Sequence, residues 1–105
     1  MRGEIWVARA DLYATKVRPV LIIQADDYDA YESTVTCLFT SVENRNDIAR
    51  VRIEPDADNS LDTVSFVMTD KIFSFDKNDL DKPIGRLSDA DMKRVSEKLR
   101  AILGI

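Results

Sequence analysis

The sequence predicts a mainly β chain, a small and strongly bent sheet or barrel closed by one C-terminal α-helix. Three observations carry this. Short β-rich segments recur from residue 3 to residue 75, separated by polar or acidic connections. One of them, residues 20–23 in VRPVLIIQ (17–24), is apolar without polar alternation, the pattern of a strand buried on both faces. Helical spacing is sustained only after Ser88. At 105 residues the chain can bury one modest core, so one domain over 1–105 is expected.

Residues 3–9, GEIWVAR, read as the first strand, with Ile5 and Val7 on one face and Trp6 on the other. Residues 11–17 connect it to the central strand, where Pro19 fits the start because it has no amide to give to a ladder. Residues 26–32, DDYDAYE, are acidic and turn-like, and residues 34–40, TVTCLFT, alternate as a third strand. A polar loop over 41–49 leads to residues 50–54, whose basic–apolar alternation reads as a short edge strand. After an acidic loop over 55–62, residues 63–68 and 71–75 form one long or bent strand around Asp70. Residues 80–86 hold Pro83 and Gly85 and read as a turn region. The helix begins at the N-cap Ser88, carries Asp89 and Asp91 at its positive end and stops at Gly104. Met92, Val95, Leu99, Ile102 and Leu103 form its core-facing stripe.

Composition removes whole classes of chemistry. The chain has no histidine, which excludes imidazole acid–base catalysis, histidine-ligated metals and Ser–His nucleophiles. Its single cysteine, Cys37, allows no internal disulfide, fits a reducing cytoplasmic compartment and reads as a core residue within an apolar strand. No apolar run approaches the roughly 20 residues of a membrane span, and no secretory leader is visible. The acidic clusters Asp26/Asp27/Asp29 and Asp56/Asp58 lack the glycine and spacing of a calcium loop, so solvated loops explain them better, and no metal or cofactor is expected. The net charge of −4 argues mildly against a nucleic-acid binder, although much of the acidic excess lies in the second half of the chain.

What remains is a small set of polar groups at strand ends. Arg18 sits at the mouth of the central strand with its guanidinium directed outward, a planar multi-donor cation that suits a phosphate. The plain alternative is a rim arginine paired with a surface carboxylate. Thr40 and Ser41 close the third strand, an arrangement that by itself is a turn signal. Asp70 and Lys71 interrupt the long strand. A cation, a hydroxyl and a carboxylate suffice to cleave RNA without a metal, because the 2′-hydroxyl of RNA is itself the nucleophile.

GEIW at 3–6, RPVLIIQ at 18–24, LFTS at 38–41, DKI at 70–72, DK at 76–77, IGRLSDADM at 84–92 and the ending ILGI give the chain an end-to-end similarity to a known family. In order and spacing they resemble the MazF/PemK toxins. The resemblance implies an SH3-like, partly open β-barrel with a C-terminal helix, the CcdB/PemK-like fold, assembled as a homodimer. It implies a sequence-specific, metal-independent endoribonuclease on single-stranded RNA, leaving 2′,3′-cyclic phosphate and 5′-hydroxyl ends. It also implies a cognate antitoxin whose disordered tail folds over the toxin. Arg18 matches the family's catalytic arginine, Thr40 the hydroxyl paired with it, and Asp70 the position where some members place a catalytic acid. Tyr13, Lys16, Ser41, Arg45 and Lys71 are the RNA-binding candidates, Tyr13 for base stacking.

The chain departs from the family pattern in two places. Many members carry a glycine-containing loop with a glutamate before the Arg-Pro; residues 11–17 have neither, leaving Asp11 as that loop's one acid. Lys71 and Phe73 stand where members often have Gln and Arg. Two rival readings share the fold: a CcdB-like gyrase poison, and an inactive relative that only binds RNA or antitoxin. Gyrase poisons of that type carry a tryptophan before the final Gly-Ile, where this chain has Leu103. That residue and the Arg18/Thr40 pair favour the nuclease.

Overall fold

The computed structural model describes residues 1–12 and 15–105, and for 10–12 and 15–17 it describes the backbone alone. Six strands, β1 (Glu4–Leu12), β2 (Thr15–Ile22), β3 (Ser33–Thr40), β4 (Arg50–Ile53), β5 (Ser65–Asp76) and β6 (Leu80–Arg86), precede one helix, α1 (Asp89–Leu103). The strands pair antiparallel in the order β4-β5-β3-β2-β1-β6. The edges β4 and β6 share no ladder among the described residues, so the bent sheet is a partly open barrel.

Strand alternation explains why the centre of the sheet is apolar on both sides. Ile5, Leu21, Cys37, Phe39 and Val67 point into one cluster with Val95 and Leu99 of α1. Their neighbours Ala8, Val20, Ile22, Leu38 and Met68 point into a second cluster, shielded by Trp6 and Phe73. The uninterrupted run 20–23 is thus the signature of a strand between two cores. Trp6 packs at the second of these, with its indole N–H donated to Glu4 Oε1 at 2.8 Å.

The helix lies where its signals place it. Ser88 accepts a hydrogen bond from the Asp91 amide at 3.1 Å, and Gly104 adopts φ +70° to end the last turn.

Four local expectations change. The core-facing stripe of α1 ends at Leu99: Val95 and Leu99 are buried and Met92 packs against their cluster, whereas Ile102 and Leu103 in the last turn are exposed. Residues 80–86 are not a turn region but the edge strand β6, because β1 supplies a partner that local composition does not reveal. Extra residues at Asp81 and Ile84 bulge β6, and Pro83, opposite Trp6, is tolerated on an edge. The link between β1 and β2 is shorter than residues 11–17, since β1 runs to Leu12 and β2 begins at Thr15. Pro19 consequently lies inside β2 rather than at its start. It is nevertheless the last residue before β2 gains its second neighbour, for pairing with β3 begins at Val20. Among the described residues no helix is long and apolar enough to cross a membrane.

Candidate active site

The site arises from that change in pairing. β2 and β3 are joined through Val20↔Leu38, Leu21↔Cys37 and Ile22↔Thr36. Beyond Leu38, β3 continues against β5 alone, with Phe39 opposite Val67 and Thr40 opposite Phe66. Before Val20, β2 continues against β1 alone. The two strands diverge, and a cleft of about 300 Å³ opens between them, lined by Arg18, Thr40, Ser41, Val42 and Ser65 with Pro19 and Phe39. An adjoining hollow of about 350 Å³ is lined by Arg18, Thr40, Val42, Arg50, Met68 and Lys71. Arg18 and Thr40 belong to both.

Arg18 is held toward β3: its Nη1 donates to the carbonyl of Phe39 at 3.2 Å, one residue before Thr40. This bond bridges the gap that the ladder no longer spans. Thr40 Oγ1 accepts the amide of Val42 at 3.2 Å, a hydroxyl turn that fixes its oxygen while its proton has no acceptor among the described residues. Ser41 is exposed at the rim.

Asp70 and Lys71 reach this region through a large bulge. Cys37 and Leu38 are adjacent on β3, yet their partners on β5 are Ile72 and Met68, so three residues of β5 are looped out. Thr69, fully buried, anchors the bulge by donating its hydroxyl to the Ala49 carbonyl, leaving Asp70 and Lys71 to face outward. Lys71 Nζ lies 2.8 Å from Asp70 Oδ2. That hydrogen bond holds the Asp70 carboxyl below its usual range and favours the anion that an aspartate already is at neutral pH. Asp70 borders the hollow through Lys71 and does not itself line it.

Cys37 contributes nothing reactive. It is fully buried, and burial, with the Asp70 charge adding to it, pushes its thiol up to about 12. The acidic cluster at 26–29 serves the chain's own N-terminus: the Met1 ammonium lies 3.0 Å from Asp26 and 3.5 Å from Asp29. Among the described residues no three His, Cys, Asp or Glu side chains converge to hold a metal ion.

Of the sequence candidates, Arg18, Thr40, Ser41 and Lys71 are therefore brought together, with Asp70 beside them. Arg45 is not. Its side chain is 88% exposed, 3.9 Å from Glu43, and lines neither hollow. Tyr13 and the side chains of Asp11 and Lys16 lie outside the described residues. The hollow also takes in Arg50, which the sequence presents as one of two edge-strand arginines.

A guanidinium and a hydroxyl presented from the diverging strands β2 and β3 of a partly open β-barrel are groups whose donors suit the geometry of a phosphate. The chain belongs to the PemK-like, MazF-like toxins of type II toxin–antitoxin systems, whose family model matches residues 1–103. It is similar to a probable endoribonuclease MazF of Mycolicibacterium smegmatis, 41% identical over 105 residues that cover 99% of this chain and 96% of the relative. It is also similar to an endoribonuclease MazF of Staphylococcus saprophyticus, 30% identical over 113 residues covering 99% and 91%. In fold it matches a mycobacterial endoribonuclease solved in complex with its cognate antitoxin, with a TM-score of 0.84 and 23% identity over 100% of this chain and 95% of that one.

Proposed function

We propose that this toxin is a sequence-specific, metal-independent endoribonuclease acting on single-stranded RNA. The observation that carries the reading is the tie from Arg18 to the Phe39 carbonyl, which sets a permanent cation beside the Thr40 hydroxyl in one cleft. The relatives named as endoribonucleases support the same chemistry.

In the proposed reaction the 2′-oxygen attacks phosphorus and gives up its proton to a base. The bond to the 5′-oxygen breaks, and that oxygen leaves as a hydroxyl by taking a proton from Arg18 or from water, while the base returns its own proton to solvent. The products are a 2′,3′-cyclic phosphate and a 5′-hydroxyl. Arg18 binds the scissile phosphate and neutralises the charge that grows on its oxygens. Thr40 donates its hydroxyl proton to the same phosphate or holds the 2′-hydroxyl. Asp70, an anion beside the hollow, is the candidate base among the described residues, although its ion pair with Lys71 weakens its basicity. Ser41 and Lys71 contact the RNA backbone, and Tyr13, Lys16 and Arg45 are further candidate RNA contacts. The working form is a homodimer in the cytoplasm, restrained by an antitoxin whose tail orders on binding; the structural relative solved with its cognate antitoxin supports the antitoxin as partner.

The test is cleavage of a long, unstructured RNA in EDTA, with fragment ends read by sequencing. Discrete cuts with 5′-hydroxyl ends are expected, falling by at least ~10²-fold in Arg18→Ala and Thr40→Ala proteins of unchanged melting temperature. A well-folded wild-type protein that leaves such RNA intact would count against the nuclease and bring the gyrase-poison and binding-only readings forward.

A further inference from the structure

We propose that Arg50 is a second phosphate-binding arginine of this cleft, gripping an RNA phosphate next to the one held by Arg18. The inference deepens the nuclease reading and rests on it. β4 buries Val51 and Ile53 and leaves Arg50 and Arg52 on its other face, the pattern of charges that blunt an exposed edge. The two arginines nevertheless have different fates. Arg52 behaves as an edge charge: its side chain is 55% exposed and pairs with Glu54 at 3.1 Å. The Arg50 side chain is only 17% exposed and lines the hollow shared with Arg18, Thr40 and Lys71, whereas Arg52 shares with it only a second hollow against α1.

Two contacts hold it there. Arg50 Nε lies 3.2 Å from Asp47 Oδ2, and its Nη1 donates to the carbonyl of Val42. Asp47 is itself fixed, because its Oδ1 accepts the Ala49 amide at 3.1 Å. Nη2 has no acceptor among the described residues. A guanidinium braced in this way beside Arg18 and Lys71 is preorganised for an anion. Val42 is also the residue whose amide sets the Thr40 hydroxyl, so Arg50 grips the turn that carries the other phosphate donor. Successive phosphates of a single strand would then lie on Arg18 and Arg50, with Lys71 at the side.

The experiment measures binding of an RNA carrying 2′-deoxyribose at the mapped cut position, over a range of salt, together with KM and kcat on the cleavable RNA. Arg50→Gln is expected to weaken binding about tenfold and lower the slope of log affinity against log salt by about 0.7, the share of one phosphate on a single strand. KM should rise more than kcat falls, and Arg50→Lys should restore the slope. If Arg50→Gln loses the fold, Arg50→Met, which keeps the buried stem, takes its place. A folded variant with unchanged slope and KM overturns the proposal, as does one whose whole effect is a lowered melting temperature. Failure of wild-type protein to cut or bind any RNA would instead bring down the nuclease reading on which the proposal stands.

Discussion

Thr40 offers the sharpest distinction between a structural and a chemical role for one side chain. Its oxygen already accepts the Val42 amide, so the turn needs the oxygen and the proposed chemistry needs the proton. Thr40→Ser keeps both and is expected to cleave within about tenfold of wild type. Thr40→Val is nearly isosteric and has neither; its rate should fall by at least ~10²-fold, the scale for one removed donor. Single-turnover cleavage by the two variants checks this, and equal losses in both would assign Thr40 to packing. Cys37 gives the opposite prediction. With its thiol held near 12 by burial, the native protein should resist thiol reagents at pH 8 and label only on unfolding. Arg18, Thr40 and Cys37 were legible because each is defined by neighbours in sequence: an Arg-Pro before an apolar run, a hydroxyl ending a strand, a thiol inside one. Arg50 was not. What sets it apart from Arg52 is Asp47 and Val42 across a loop, and alternation in RVRI cannot express that.

Among the elements, the helix and the central strands were readable because periodicity and caps are local signals. β6 was hidden because its strand character comes from β1, while its own Pro83 and Gly85 are turn residues by composition. Gly85 has a reason of another kind. A Cβ there would stand 2.6 Å from the backbone of Asn59 and of Asp58, and the Asp58 carbonyl accepts the Arg86 amide at 3.0 Å. Gly85→Ala must therefore push the 55–62 loop away from β6, and a loss of about 1–3 kcal/mol, the scale of overpacking, is expected in denaturant unfolding. The β5 bulge makes a pH prediction. Because the Asp70 carboxyl titrates below its ordinary value in the folded protein, its contribution to stability is present above that ordinary value. It is lost as pH falls through the lowered one. Lys71→Met should raise the Asp70 titration midpoint, followed by carboxyl NMR, and remove this part of the acid-side loss. An unmoved midpoint would mean that Lys71 is not the cause.

At the scale of the whole molecule, stability and chemistry are carried by different parts of one sheet. Val95 and Leu99 of α1 close the first apolar cluster, and Arg94 of the same helix donates to the Arg52 carbonyl of β4 at 2.9 Å. The cleft depends instead on where β2 leaves β3, a divergence set by the second cluster as much as the first, since Val20 and Leu38 at the fork belong to the second. This arrangement also accounts for a net charge of −4 in a protein proposed to bind RNA: Arg18, Arg50 and Lys71 converge on one hollow while acids such as Asp26 and Asp29 are drawn to the N-terminus. Leu99→Ala tests the separation. Removing a side chain that is 92% buried should cost about 2–5 kcal/mol, lowering the melting temperature by several degrees for each kcal/mol in a chain of this size. Below the new midpoint, kcat and KM should stay within about twofold of wild type, because the residues of the fork keep their own partners. A fall in kcat out of proportion to the unfolded fraction would show that the helix supports the cleft directly, through β4 and Arg50, and that packing and catalysis are coupled across the sheet.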